Sequence, residues 1–254
     1  MSFPEFSRTL RQGFPAQGSC LIVFEQIPST HLIARRLVDE LVAESSEVPP
    51  VNLFAWSQSG GRGRQERAWS SPAGEGVYLS LVRALELPIQ KLPLLVAVAL
   101  GQEINRLLEG RCRLKWPNDL MVDDRKLGGI LIDVKSRPDE PPVVLISFGV
   151  NVTTRPEVLE PVKGTSLAAW GARPELAELA RDLVSAVDRY LAEPPHDLIH
   201  QYRTLSVHSY GQELYCRLPD GDVTGRFLGI DESGFLRLEV AGQERLLVAG
   251  ELHD

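Results

Sequence analysis

Residues 20–27 (CLIVFEQI) are apolar at most positions, a pattern that predicts a buried strand. Apolar residues then recur at Leu32, Ile33, Leu37, Leu41 and Val42, the stripe of an amphipathic helix over 29–45, with Ser29 or Thr30 as its N-cap. Further apolar runs at 51–56, 76–85 and 142–152 read as strands, and the largely apolar 94–110 as a buried helix stopped by Gly110. Residues 112–136 look like two apolar runs folded back on each other through a tight Asp-Asp-Arg-Lys turn. Helical periodicity returns over 173–193 and 196–205.

From about Val207 the texture changes to short strands separated by turn signals at 219–221, 231–234 and 241–242. Even spacing of this kind predicts a small β-barrel. Ahead of the first strand, Pro4, Gly13, Pro15 and Gly18 interrupt every period, so residues 1–18 read as a loose tail. The expected organisation is therefore a tail (1–18), a mixed α+β domain (19–206) and a small all-β domain (207–254).

Composition narrows the classes. The 254 residues carry a formal net charge of −7 and a pI near 5.4, which disfavours non-specific nucleic-acid binding. Cys20, Cys112 and Cys216 are odd in number and far apart, suiting a reducing compartment rather than a disulfide framework or a zinc knuckle. No apolar leader segment opens the chain, and its most apolar run, 92–100, is too short for a bilayer. No membrane association is expected, and the cytoplasm is the expected compartment.

Against that acidic background, residues 58–69 (QSGGRGRQERAW) hold three arginines and three glycines. They are open to three readings: a solvated loop, a nucleic-acid patch, or a cradle for one strongly anionic ligand. Gly60, Gly61 and Gly63 permit unusual backbone conformations that can aim N–H groups at one point. Arg62, Arg64 and Arg67 add planar guanidiniums suited to carboxylate or phosphate. A second segment, 115–131 (KWPNDLMVDDRKLGGIL), brings Lys115, Asn118, Asp119 and Lys126 to one hairpin, and Gly128 and Gly129 leave room for a close approach. An aspartate such as Asp119 suits Mg²⁺ and a lysine suits a phosphate oxygen. With no G-x-x-x-x-G-K-[ST] in the chain, the two segments together describe ATP handled by an adenylating enzyme outside the P-loop class. His196 and His200 fall four apart on a short helix without an evident third ligand.

The same residues resemble the biotin protein ligase family. GRGRQERAW is similar to that family's G-R-G-R-x-G-R-x-W loop, KWPNDL and RKLGGILID to its second signature, and GVNV to the segment after its next core strand. The tail from Gly229 resembles its C-terminal domain. The resemblance implies an α+β catalytic domain with a mixed β-sheet, of the class II aminoacyl-tRNA synthetase/biotin ligase type, plus an SH3-like barrel. It implies that biotin and MgATP form biotinyl-5′-AMP, from which biotin passes to a lysine of a biotin carboxyl carrier protein domain.

By position, Ser29, Thr30, His31, Gln58, Arg62, Gly63, Arg64, Lys126 and Gly129 match biotin-side residues. Arg62, Arg64, Arg67, Trp69, Lys115, Asn118 and Asn151 match the ATP and adenylate side, and Asp119 matches a residue near the metal. The resemblance implies catalytic roles for Lys126, Arg64, Asp119 and Lys115. Two departures stand out: PSTH, with Pro28 and His31, replaces D-S-T-N, and Glu66 replaces a glycine. The stretch ahead of Cys20 is too short for a DNA-binding helix-turn-helix, so no DNA partner is expected. A lipoate or octanoate ligase-like enzyme and a non-catalytic biotin or adenylate binder are the alternatives. A homodimer and a monomer are both compatible with the sequence.

Overall fold

The computed structural model describes residues 1–14, 19–44, 47–153, 164–218 and 221–253. In chain order its elements are α1 (Phe3–Gly13), β1 (Cys20–Ile27), α2 (Thr30–Ala43), β2 (Val51–Gln58), β3 (Gly76–Ala84), α3 (Leu92–Leu108), β4 (Cys112–Lys115), β5 (Asp119–Val122), β6 (Arg125–Arg137), β7 (Glu140–Asn151), α4 (Leu176–Ala192), α5 (Leu198–Leu205), β8 (Glu213–Arg217), β9 (Val223–Ile230), β10 (Leu236–Val240), β11 (Gln243–Leu247) and β12 (Glu251–His253). They form two compact units, Met1–Leu87 with Asp124–Ser185, and Pro88–Asp123 with Ala186–Asp254.

In the first unit the strands run β1-β2-β3-β7-β6. β1 and β2 are parallel, joined through α2, and the remaining neighbours are antiparallel. Ala34 and Val38, one turn apart on α2, pack on Val51, Leu53, Val82, Val143 and Leu145, alternate residues of their strands. Ile33, Leu37, Leu41 and Val42 flank this contact and are only partly buried. The buried face of α2 is thus rotated away from the apolar stripe read from the sequence, and it carries Thr30 and His31 into the interior.

Two expectations fail here for physical reasons. Among the described residues β1 pairs only with β2, so this edge strand is half-buried rather than buried. The expected tail contains α1. Pro4 lies in its first turn, where a missing N–H costs nothing, and Ser2 and Glu5 close a capping box around it. The buried Phe6 and Leu10 hold α1 down, with Phe6 5.2 Å from the Trp56 ring.

The second unit contains α3, whose C-cap Glu109 and following Gly110 both take left-handed backbone (φ 51° and 85°). β4 and β5 pair as a hairpin around Trp116-Pro117-Asn118, whose Trp116–Pro117 peptide is cis. What read as one apolar run is therefore two short strands. The Trp116 indole donates to Gly234 O at 3.3 Å. The C-terminal strands form an antiparallel sheet in the order β11-β10-β9-β8-β12, and the described pairings do not close it into a ring. The turns expected at 231–234 and 241–242 join β9 to β10 and β10 to β11, with Gly234, Ala241 and Gly242 at positive φ. The turn expected at 219–221 includes residues outside those described. Cys20 is exposed, whereas Cys112 and Cys216 are buried, and all three are free thiols.

Candidate active site

The junction between β1 and α2 places Ser29 at the helix N-cap with extended backbone, and Thr30 and His31 in the first turn, all three buried. Gln58 ends β2 opposite Ile27. Its amide is oriented without ambiguity: Oε1 accepts from Thr30 N at 2.8 Å and from Thr30 Oγ1 at 3.2 Å, while Nε2 donates to Ser71 Oγ at 2.8 Å.

Beneath Thr30 lies a row of side chains that the sequence reading passed over. Ser80 Oγ donates to Thr30 Oγ1 at 2.9 Å and stands 2.7 Å from Ser147 Oγ. Ser147 Oγ is 2.8 Å from His31 Nδ1, and His31 Nε2 is 3.0 Å from Asp133 Oδ2. Ser80 and Ser147 face each other in the β3–β7 register, each in the middle of an apolar strand. A lone serine inside each of VYLSLV and VLISFG was the signal available. Such groups are tolerated in a core only because each is bonded. The His31 side chain is 9% exposed and that of Asp133 39%, so the row opens to solvent at its acidic end. Burial is the main force holding the His31 ring below its usual pKa of 6.5; the Asp133 carboxylate opposes it and Arg35 adds to it.

The Gly/Arg segment is a hairpin, not a nest of converging amides. Ser59 N and Gly60 N donate to Ile27 O and Pro28 O at 3.0 and 2.9 Å, so the carbonyl of Pro28 anchors its base. Gly63 N donates to Arg67 O and Trp69 N to Gly61 O, both at 2.8 Å, and Arg64–Glu66 turn the tip. Gly61 is required by space: a Cβ there would lie 2.4 Å from Trp69 O. Positive φ falls instead on Gln65 (54°) and Glu66 (58°). This accounts for a glycine being apt at position 66. Here Glu66 forms an ion pair with Arg62, and Arg67 donates to Gln65 Oε1 at 3.0 Å.

Trp69 packs on glycine. Gly129 and Gly149 are register partners of β6 and β7. A Cβ on Gly149 would come within 2.6 Å of Trp69 Nε1, and one on Gly129 within 3.6 Å of the same ring. The close approach expected at Gly129 is thus met by the indole, and Gly149 shares the task unforeseen. Lys126 Nζ lies 5.7 Å from the Trp69 ring centroid, a cation–π distance. The buried Trp69 Nε1 has no hydrogen-bond partner among the described residues. Lys126 O accepts from Thr165 N at 2.9 Å, and the buried Asn151 donates to Thr165 O at 3.0 Å. Asn151 therefore braces the chain that returns past Lys126.

The first unit thus brings together Thr30, His31, Gln58, the arginine hairpin, Trp69, Lys126, Gly129 and Asn151. Lys115, Asn118 and Asp119 lie on the hairpin of the second unit, where Lys115 and Asp119 are register partners. Burial, with the Asp119 carboxylate nearby, pushes the Tyr202 hydroxyl well above its usual pKa. Among the described residues no three His, Cys, Asp or Glu side chains cluster as a metal cage.

Residues 23–152 match the sequence model of the biotin/lipoate A/B protein ligase family, and residues 211–251 match that of the biotin protein ligase C-terminal domain. The biotin–[acetyl-CoA-carboxylase] ligase of Mycobacterium tuberculosis is 33% identical over 267 residues, covering 98% of this chain and 95% of that protein. The bifunctional ligase/repressor BirA of Bacillus subtilis is 30% identical over 235 residues, covering 87% of this chain and 70% of that protein. In fold, the chain is similar to the Aquifex aeolicus biotin protein ligase solved with biotin and ATP, with TM-score 0.70 and 22% identity over 92% of this chain and 97% of that one.

Proposed function

The chain belongs to the biotin/lipoate A/B protein ligase family, and we propose that within it the chain acts as a biotin protein ligase. The observation that carries this reading is the fixed Gln58–Thr30 amide–hydroxyl pair at the base of a hairpin bearing Arg62, Arg64 and Arg67. An amide and a hydroxyl are the kinds of group that meet the N–H and C=O of a small neutral head group, and the guanidiniums beyond them suit an anionic tail.

Ser29, Thr30, His31 and Gln58 are assigned to the ureido end of biotin, and Arg62, Gly63, Arg64, Lys126 and Gly129 to its carboxylate end. That carboxylate attacks the α-phosphorus of ATP, and pyrophosphate leaves. Arg64 and Lys126 meet the charge that develops there, as preorganised donors do most effectively. Arg67, Trp69 and Asn151 are assigned to the nucleotide, and Lys115 and Asn118 to its phosphates. Asp119 is a half-buried carboxylate whose register partner is Lys115, a donor set that fits Mg²⁺ completed by phosphates and water. Mg²⁺, when bound, neutralises phosphate charge. In the second step the amine of an acceptor lysine attacks the acyl carbon and AMP leaves. Closing the hairpin over the mixed anhydride keeps water out until the acceptor arrives.

The M. tuberculosis relative supports a biotin carboxyl carrier domain of an acetyl-CoA carboxylase as the acceptor. The C-terminal match supports assigning residues 207–254 to the SH3-like domain. Three free thiols and the use of ATP support a cytoplasmic location; no described helix is long and apolar enough to cross a membrane.

The deciding experiment combines the protein with ATP, Mg²⁺, a carrier domain and either biotin or lipoate, and weighs the carrier. A biotinyl increment on the acceptor lysine is expected. A lipoyl increment alone, or no increment from either acid, overturns the assignment.

A further inference from the structure

The buried row from Gln58 to Asp133 has a fixed number of protons to share among its contacts. Each hydroxyl owns one proton, and Gln58 Oε1 can only accept. The contact of Thr30 Oγ1 with Gln58 Oε1 therefore uses the proton of Thr30, and Ser80 spends its own on Thr30. The 2.7 Å contact between Ser147 and Ser80 then needs the proton of Ser147. His31 must accordingly donate from Nδ1 to Ser147. With Nδ1 protonated, the contact of Nε2 with Asp133 Oδ2 is bonding only if another proton lies between them. With the Thr30 proton on Gln58, the row therefore requires a His31–Asp133 pair loaded with one proton.

Removing that proton reverses the row. Neutral His31 keeps Nε2–H on the Asp133 carboxylate and leaves Nδ1 bare, so Ser147 turns to donate to it. Ser80 then donates to Ser147, and Thr30 to Ser80. The hydroxyl proton of Thr30 leaves Gln58, whose Oε1 keeps only the bond from Thr30 N. Loaded, Gln58 Oε1 has both lone pairs filled. Unloaded, it regains one, and Thr30 Oγ1 regains another.

We propose that His31 and Asp133 are a positioning pair which, acting through Ser147 and Ser80, sets how many acceptor lone pairs Thr30 and Gln58 offer to the N–H groups of a urea-type ligand. The unloaded pair is the binding-competent form. The inference rests on assigning Thr30 and Gln58 to the ureido end of biotin. Solvent protons enter at the partly exposed Asp133. Among the described residues the charged groups acting on the ring are Asp133 on β6 and Arg35 on α2, while β7 presents the hydroxyl of Ser147, with Ser80 of β3 behind it. Farther along the same helix and strand, Asp39 and Lys135 pair with each other at 2.7 Å. Burial and Arg35 favour the unloaded form near neutrality, so binding is expected to weaken on acidification.

Biotin affinity of the full chain, measured by calorimetry between pH 8 and pH 5 without ATP, tests this. It should fall by up to about tenfold per pH unit below the midpoint of the pair. His31→Asn, which cannot take up a proton, should flatten the profile. Asp133→Asn, which removes the group favouring the imidazolium, should move the midpoint to lower pH. A flat wild-type profile, or a His31→Asn profile that still falls in parallel with it, overturns the proposal. Ring ¹⁵N shifts of His31 in the ligand-free protein provide a readout that does not depend on biotin. They should show Nε2–H with bare Nδ1 at pH 8 and a second ring proton in acid; Nδ1–H throughout overturns the relay. Failure to bind biotin at any pH overturns the functional reading instead, and the ring nitrogens still decide the relay.

Discussion

Glu66 adopts left-handed backbone at the tip of the arginine hairpin and places its carboxylate on Arg62. A non-glycine residue in that conformation costs about 1–2 kcal/mol, and an exposed ion pair returns at most about 1 kcal/mol. Glu66 is therefore an internal anion on a guanidinium assigned to the ligand, and any incoming carboxylate or phosphate must displace it. Glu66→Gly should leave thermal stability within about 1 kcal/mol of wild type while tightening binding of biotinyl-AMP several-fold, as read by competition binding. Unchanged affinity would mean that the carboxylate does not compete. His31 supplies a second prediction at this scale. Its pKa is lowered in the folded state from an unfolded value of 6.5, so the unfolded chain binds the proton first as the pH falls. Stability contributed by the neutral ring is thus present above pH 6.5 and is lost as the pH falls from there through the folded value. Denaturant midpoints between pH 7.5 and 5 should fall less for His31→Asn than for wild type.

At the scale of elements, the site depends on two strands that omit side chains in register. Gly129 and Gly149 form the surface on which the Trp69 indole lies. Gly149→Ala should displace the indole, because the added carbon would fall 2.6 Å from Nε1 and 2.8 Å from Cε2. Gly149 has no positive φ, so the strand itself tolerates alanine and the fold should persist. Nucleotide affinity should drop by about tenfold or more, the scale of a lost 1.4 kcal/mol contact, with a red-shifted indole emission; wild-type affinity would sink the role given to Trp69. What the sequence revealed at this scale depended on whether local pattern or tertiary pairing decided the outcome. β2 and β7 were readable as strands from their continuous apolar runs, and α2 as a helix from its apolar period, although its buried face is turned from that stripe towards Thr30, His31, Ala34 and Val38. α1 was misread because Pro4 and Gly13, which punctuate loops, here mark the two ends of a helix. β1 was misread because nothing local tells an edge strand from a central one. The arginines and Lys126 were legible as chemistry, and Gln58 only through the family resemblance. Ser80, Ser147 and Asp133 were not, since strand register joins the two serines across 67 residues of chain and tertiary packing brings Asp133 to His31 across 102.

For the molecule as a whole, the basic hairpin is a local exception within a net charge of −7. Polyphosphate binding scales with the number of phosphates neutralised, and three arginines, one already paired with Glu66, neutralise few. Fluorescence anisotropy with duplex DNA at 0.15 M salt should show no binding tighter than the weak end of non-specific association, a Kd of about 10⁻⁴ M. Micromolar binding would mean that the charge distribution has been misjudged. The three thiols carry a different consequence for the whole chain. Burial pushes Cys112 up to about 12 and encloses Cys216 completely, leaving Cys20 on the edge strand as the exposed sulfur. A thiolate, not a thiol, reacts with maleimides. One dye per native chain should therefore attach, at residue 20, with no cysteine to delete beforehand. The unmutated enzyme comes with a single addressable handle through which surface immobilisation or a donor fluorophore can be introduced.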